Sequence, residues 1–383
     1  MAMLLRTRPA TTPPLLALFD DAATIAHALA FEAALARAEA DCGLIDGAIA
    51  DAIGAASRAI AIDAAILADE AALAGTLAIP LVKRLRAALD GDAAKAVHRG
   101  ATSQDLADTV LMLQLAGAIP LILADARRVV AALTALAERH AATPAIGRTL
   151  LQDALPIGFG LRIAHWAAGI AAATDRLAAE IADGLPLQFG GAAGTRAGLD
   201  GKGADVAAAL ARHLGLASPP GPWQAERTTP AALAAALAIL TGALGKMARD
   251  ISLLAQNAVG EAREGIVAGR GGSSAMAHKR NPTGCQVALS AALRSPGLTA
   301  IVLGAMPQEE ERGLGGWQAE GPVLAELAML AGGAAAVMAD VAEGLDIDEA
   351  AIARNIAAAG IGEDIGESAA LVTALLAPSR KAD

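Results

Sequence analysis

The stretch from Thr102 to Ala141, TSQDLADTVLMLQLAGAIPLILADARRVVAALTALAERHA, decides the fold class. Its apolar residues recur at three- and four-residue spacing almost without a break, the pattern of one long amphipathic helix. Pro120 is the single interruption and predicts a kink. Two further stretches read the same way. Residues 156–183 begin at Pro156, and residues 229–262 carry Thr229 as a cap, Pro230 at the first helical position and Gly260 near the end. A helix over 229–262 would be about 50 Å long at 1.5 Å per residue. That exceeds one compact domain, and Ala-rich faces bury little apolar area each. The pattern therefore predicts a long bundle completed by other subunits.

Composition agrees. The chain has 383 residues, 55% hydrophobic and 18% charged, which excludes disorder. With no Tyr and four Phe, strand-favouring aromatics are nearly absent, so an all-α protein is expected. A net charge of −10 excludes a globally basic, nucleic-acid-binding surface. Two cysteines, Cys42 and Cys285, make no disulfide framework, no Cys/His cluster has zinc spacing, and a reducing cytoplasm fits. The N-terminus shows no signal-peptide pattern. The most apolar stretch, Ala231 to Gly245, is short for a membrane span and reads as a buried helix, so no membrane partner is expected.

Working outward, a helix begins at about Asp21, capped by Asp20 or Asp21, and stops at Gly43. Shorter helices are expected near 46–58, 63–73 and 77–90, with a turn at Asp90–Gly91–Asp92. This divides the chain into a small N-terminal helical domain over 1–98, a central long-helix bundle over 99–330 and a short helical region over 331–383. Gly/Pro-rich loops lie at 184–203, 215–228 and 265–282, and no internal repeat is visible.

Polar residues gather at the breaks. In GIVAGRGGSSAMAHKRNP (265–282), Gly269, Gly271 and Gly272 permit an anion-binding concavity of backbone N–H groups. Ser273, Ser274, Met276, His278, Lys279, Arg280 and Asn281 follow, and Asn281–Pro282 reads as the start of a helix whose positive end faces the loop. No Asp or Glu falls between Gly265 and Gln308, while Arg270, Lys279, Arg280 and Arg294 do. The functional reading is a polyanion site, and the simpler one is a solvated basic loop. In VHRGATSQD (97–105), Thr102 and Asp105 match a capping box, which leaves His98, Arg99, Ser103 and Gln104 available for a carboxylate at a helix N-terminus. His98 is also a proton carrier near neutral pH. In GRTLLQD (147–153), Arg148, Thr149 and Gln152 stand just before the helix expected from Pro156. The run QEEERGLGGWQAE (308–320) reads as a solvated acidic face with Trp317 at a packed corner.

These residues also carry a resemblance. GGSSAMAHKRNP at 271–282 resembles the GSSxMPxKxNP loop of the fumarase/aspartase superfamily. HRGATSQD at 98–105 and GRTLLQDALPIGFG at 147–160 resemble its two other shared segments. The HxGATSQD form is similar to the branch holding the adenylosuccinate lyases and the 3-carboxy-cis,cis-muconate cycloisomerases. FGGAAGTRAGL (189–199) and ERGLGGWQAE (311–320) look like the cycloisomerases. Three departures stand out: Ala277 replaces the loop Pro, Leu150 stands where fumarate-releasing lyases carry a catalytic His, and the region after 330 is short.

The resemblance implies a fumarase/aspartase-like bundle, a homotetramer whose sites draw motifs from three subunits, and a small tricarboxylate substrate. It implies the interconversion of 3-carboxy-cis,cis-muconate and 4-carboxymuconolactone through an aci-carboxylate, with no cofactor and no metal required. Ser273, His98 and Lys279 would be catalytic, the proton falling to Ser273 or His98. Arg99, Thr102, Ser103, Arg148, Thr149, Gln152, Ser274, Met276 and Asn281 would position substrate. The alternatives are adenylosuccinate lyase, another fumarate-releasing lyase, or a catalytically silent structural homologue.

Overall fold

In the computed structural model, which describes residues 4–273, 275–276 and 279–377, helix α1 (Asp21–Asp41) is followed by shorter helices and then by five long ones. These are α2 (Ser103–Arg139), α3 (Phe159–Ala179), α4 (Thr228–Leu254), α5 (Thr283–Gly304) and α6 (Gly316–Glu343). The 37 residues of α2 make it about 55 Å long. Its buried stripe, Met112, Leu115, Ile119, Ile122, Ala126, Val129 and Leu133, follows the spacing read from the sequence, and each is fully buried. Pro120 lies on the exposed face inside α2. The carbonyl left without its N–H partner there, Ala116, faces solvent, so the helix runs through.

The ends of these helices fix the bundle's directions. Thr102 before α2 meets Arg312 before α6, and Arg128 meets Glu343, so α2 and α6 run parallel. Gly160 N–H donates to the His140 carbonyl, Trp166 to Asp250 and Thr299 to the Ala234 carbonyl, so α3, α4 and α5 alternate in direction. One end of the bundle therefore holds the starts of α2, α4 and α6, and the other holds their C-termini. Small residues let the helices close up. A Cβ at Gly160 would lie 2.2 Å from the Ala137 carbonyl, and one at Gly245 would lie 2.5 Å from the Ala292 methyl.

The sequence reading needs several corrections. Residues 144–158 are not a helix start but a β-hairpin, β1 (Pro144–Thr149) against β2 (Gln152–Gly158), and Pro156 sits inside β2. Proline disfavours helix at the residue before it and supplies no N–H, so Thr143–Pro144 and Leu155–Pro156 keep this segment extended. Helix α4 ends at Leu254, short of the expected 262. Gly91 and Asp92 open a short helix, Gly91–Ala96, instead of a turn. Helix α6 passes through residue 331 and continues to Glu343. Two short helices, Glu349–Ala359 and Ser368–Leu376, then pack at the hairpin end, where the Ser368 hydroxyl accepts from Gly158 N–H at 3.0 Å.

By length and composition, α2, α4, α5 and α6 could each cross a membrane, the stretch 231–245 included. The apolar windows of α2, α4 and α6 are about two-thirds buried within the bundle, whereas that of α5 is only 28% buried. Leu293, Ile301 and Leu303 of α5 are exposed, apolar side chains left uncovered among the described residues.

Candidate active site

At the end where α2 begins, His98 Nδ1 lies 2.6 Å from Oε1 of Glu32, a carboxylate fully buried on α1. His98 has a positive φ of 62°, a region costly for a residue with a Cβ. The turn that imposes it carries the ring to a cleft of about 440 Å³, lined by Ile79, Val82, Lys83, His98, Thr102 and Ser103 among others. Burial alone would lower the His98 pKa. The charge and hydrogen bond of Glu32, with Asp105 behind, outweigh it and raise the pKa above the usual 6.5, against opposition from Arg86.

Behind this cleft the motifs interlock. Asp105 accepts from Thr102 N–H (3.0 Å), Gly190 N–H (3.0 Å), Gly191 N–H (2.8 Å) and the Gln224 amide (3.1 Å). It is thus a joint between three segments as well as a helix cap. Burial pushes its pKa up to about 6, with these N–H groups pulling the other way. Gln104 is fully buried and donates to Asp108 and the Gln224 carbonyl, so it does not face the cleft. Arg312 donates to the Thr102 hydroxyl at 2.9 Å and to the carbonyls of Gly191 and Ala192. Arg99 is committed to the carbonyls of Leu44 and Gly198, with Asp200 at 3.5 Å. Of the acidic run, Glu309 to Glu311 are exposed as expected, while Glu320 is buried.

The other end carries the second and third motifs. Leu150 and Leu151 form the two-residue hairpin turn, both at positive φ (52° and 65°), and both are exposed. Thr149 and Gln152 face each other across it and are also exposed. The register slips between Ile146 and Arg148, and such a bulge redirects a side chain. Arg148 makes a two-pronged pair with the buried Glu261 (2.9 and 2.7 Å), and Glu261 also accepts from Asn355. This holds the Glu261 pKa below its ordinary value although burial pushes it up.

The glycine-rich loop lies at the same end of the bundle. Helix α5 starts at Thr283, and its first free N–H groups, of Gly284 and Cys285, donate to Glu264 at 3.1 and 2.7 Å. The expected Asn281 cap is therefore replaced, and Glu264 occupies the helix's positive end. Asn281 closes the loop stem instead, donating from its backbone to the Gly271 carbonyl and from its amide to the Gly272 carbonyl. Arg270 pairs with Asp340 at 2.8 Å. Ser273 Oγ accepts from the N–H groups of Ala275 (3.3 Å) and Met276 (3.1 Å). Met276 and Lys279 are exposed. Ser274, Ala277 and His278 lie outside the described residues.

One chain thus brings His98, Thr102 and Ser103 together at one end, and Arg148, Thr149, Gln152, Ser273, Lys279 and Asn281 at the other, separated by most of the length of α2. Sequence reasoning missed Glu32, Lys83 and Arg312. For Glu32 a signal existed: it lies on the same helical stripe as Ile25, Leu29 and Ala36, where an acid is out of place. A hollow of about 520 Å³ beside α1 is lined mostly by Ala and Ile and gathers no such chemistry. Among the described residues no group of three or more His, Cys, Asp and Glu is arranged to hold a metal ion.

A family model described as lyase matches residues 8–297. The 3-carboxy-cis,cis-muconate cycloisomerase of Bradyrhizobium diazoefficiens is 48% identical over 340 residues, which cover 88% of this chain and 75% of that protein. The nitrosuccinate lyase of Streptomyces davaonensis is 42% identical over 375 residues, 95% of this chain and 79% of that protein. The crystal structure of the 3-carboxy-cis,cis-muconate lactonizing enzyme from Pseudomonas putida superposes with a TM-score of 0.86 at 42% identity, covering 92% of this chain and 79% of that one. By helical architecture, motif order and these similarities, the chain belongs to the lyase family that includes the 3-carboxy-cis,cis-muconate cycloisomerases.

Proposed function

We propose that the protein interconverts 3-carboxy-cis,cis-muconate and 4-carboxymuconolactone, in an oligomer whose sites each join the His98 end of one protomer to the loop ends of others. The substrate reading rests on the 48% identity to the Bradyrhizobium cycloisomerase, and the composite sites on the separation of the motifs along α2 together with the exposed apolar residues of α5. Residues that the proposed chemistry needs together lie at opposite ends of a rigid helix in one chain, and in this reading other copies supply the missing set.

In lactonisation, a substrate carboxylate oxygen bonds to an alkene carbon, and the π pair moves onto a second carboxylate as an aci-carboxylate. Carbon then takes a proton from the enzyme and the carboxylate re-forms, so the ionised tricarboxylate gains one proton, replaced from solvent, as it becomes the dicarboxylate lactone. Ser273 supports the proton step. Its oxygen already accepts two backbone N–H groups, which favours its anionic form and makes a hydroxyl a usable base in the reverse direction. Lys279 and His98 supply positive charge where the dianionic intermediate forms, an effect greatest once water is excluded. Thr102, Ser103, Thr149, Gln152, Met276 and Asn281 shape the walls. Arg148 and Arg99, already engaged within the chain, act mainly by holding the hairpin and the 198–200 loop in place.

A second reading, a lyase acting on nitrosuccinate, is favoured by the long match to the Streptomyces relative. The test is a purified-protein assay following carboxymuconate ultraviolet absorbance, with nitrosuccinate and adenylosuccinate run in parallel. Turnover of carboxymuconate alone, lost in Lys279→Ala, is the expected result. Turnover of nitrosuccinate without carboxymuconate would overturn it.

A further inference from the structure

We infer that Glu32 is a positioning residue that keeps His98 as a cationic N–H donor facing the cleft. The inference rests on the carboxylate-substrate reading above and gives a part to an acid that lies outside the motifs.

The argument starts from α1. Glu32 is buried on an otherwise apolar stripe, and a carboxylate there needs a cation or it costs several kcal/mol. Its Oε1 meets the His98 ring at 2.6 Å, while Oε2 has no hydrogen-bond partner among the described residues. Imidazolium is therefore the counter-ion that this acid has in the fold. Arg86 lies near but donates to the Val97 carbonyl at 2.8 Å, and Lys83 lines the cleft. The charged groups facing His98 are thus Glu32 from α1, Asp105 from α2, and Arg86 and Lys83 from the helix Ala78–Ala87. The two carboxylates dominate.

Geometry sets the rest. With Nδ1 on Glu32, Nε2 is the ring nitrogen left for the cleft that His98 lines beside Ser103 and Lys83. A carboxylate on Nδ1 raises the basicity of Nε2, so the nitrogen facing the cleft stays protonated to higher pH than in a free imidazole. An N–H donor to a substrate carboxylate needs it protonated, and the carboxylate favours that. The strained backbone at His98 holds the ring in this place.

The experiment uses the purified oligomer with Glu32→Gln and Glu32→Asp. Histidine hydrogen–deuterium exchange read by mass spectrometry follows the titration of His98 without any turnover, and kinetics are run from about pH 6 to about pH 8. In Glu32→Gln the His98 titration is expected to move to lower pH. kcat/KM for the lactonisation should fall by roughly 100-fold near pH 8 and recover most of that loss near pH 6, where the ring protonates unaided. Glu32→Asp, which keeps the charge, should lie between the two and covers the case in which the Gln variant does not fold. An unmoved His98 titration in the folded variants, or a deficit equal at every pH, overturns the proposal. Inactivity of the wild type on carboxymuconate would instead sink the substrate reading, while the exchange measurement still decides the Glu32–His98 link.

Discussion

Arg227 holds Glu320 from inside the core. Its Nη2 and Nε lie 2.6 and 2.9 Å from Oε2 of that carboxylate, and both side chains are almost fully buried. The same guanidinium holds Asp108 at 2.8 and 3.0 Å and stacks 4.7 Å from the Trp223 ring. The pair ties the starts of α2, α4 and α6 together behind the His98 cleft. Arg227→Met leaves two buried carboxylates facing each other and should cost about 3–5 kcal/mol, whereas Arg227→Met/Glu320→Leu/Asp108→Leu should recover most of that loss. Chemical denaturation of the three proteins checks this, and a single variant as stable as wild type would refute it.

Glu39 gives a pH-dependent prediction. It is fully buried one heptad beyond Glu32, both its oxygens lack partners among the described residues, and its pKa is raised to about 7 by burial, with Arg99 opposing and Glu32 adding to the rise. The native state therefore holds a proton that the unfolded chain releases from about 4.5 upward, so stability falls as pH rises through this window. Glu39→Gln should be more stable than wild type near pH 8, by up to about 3 kcal/mol, and nearly equal to it near pH 4. A difference that does not change with pH would contradict this.

The hairpin turn stores strain. Leu150 and Leu151 both occupy the left-handed region, at about 1–2 kcal/mol each, where Asn-Gly is the usual pair. Exposed leucines persist in such a turn when something outside the hairpin needs them. Leu150→Asn/Leu151→Gly should relax the turn yet shift the oligomer toward smaller species in light scattering. An unchanged assembly would show that the tip has no partner.

Composite sites allow complementation. His98→Asn and Ser273→Ala should each be nearly inactive alone. If the two residues come from different protomers, mixed and refolded variants form some sites with both intact, and about a quarter of wild-type activity returns at equal mixing. A mixture as dead as its components would place both residues of each site in one chain.

Much of this was legible in the residues. The periodicity of 102–141 called for α2, Asp20 capped α1 through Ala23 N–H, and the buried stripe lay where the spacing put it. The order of the motifs pointed to the family. The hairpin was not legible, because Ala, Leu and Ile around Pro144 and Pro156 fit a helix as well as a strand, and only the paired prolines argue otherwise.

By itself the sequence determined local matters: which segments are helical, where apolar faces lie, and which residues can donate, accept or carry charge. Tertiary structure alone decided their partners. It put Glu264 on the N-terminus of α5, Glu261 on Arg148 and Glu32 on His98. Each of these pairs joins residues at least 20 positions apart. The reason is physical: helical spacing is set by bonds a few residues apart, whereas the partner of a buried charge is chosen by how whole helices pack.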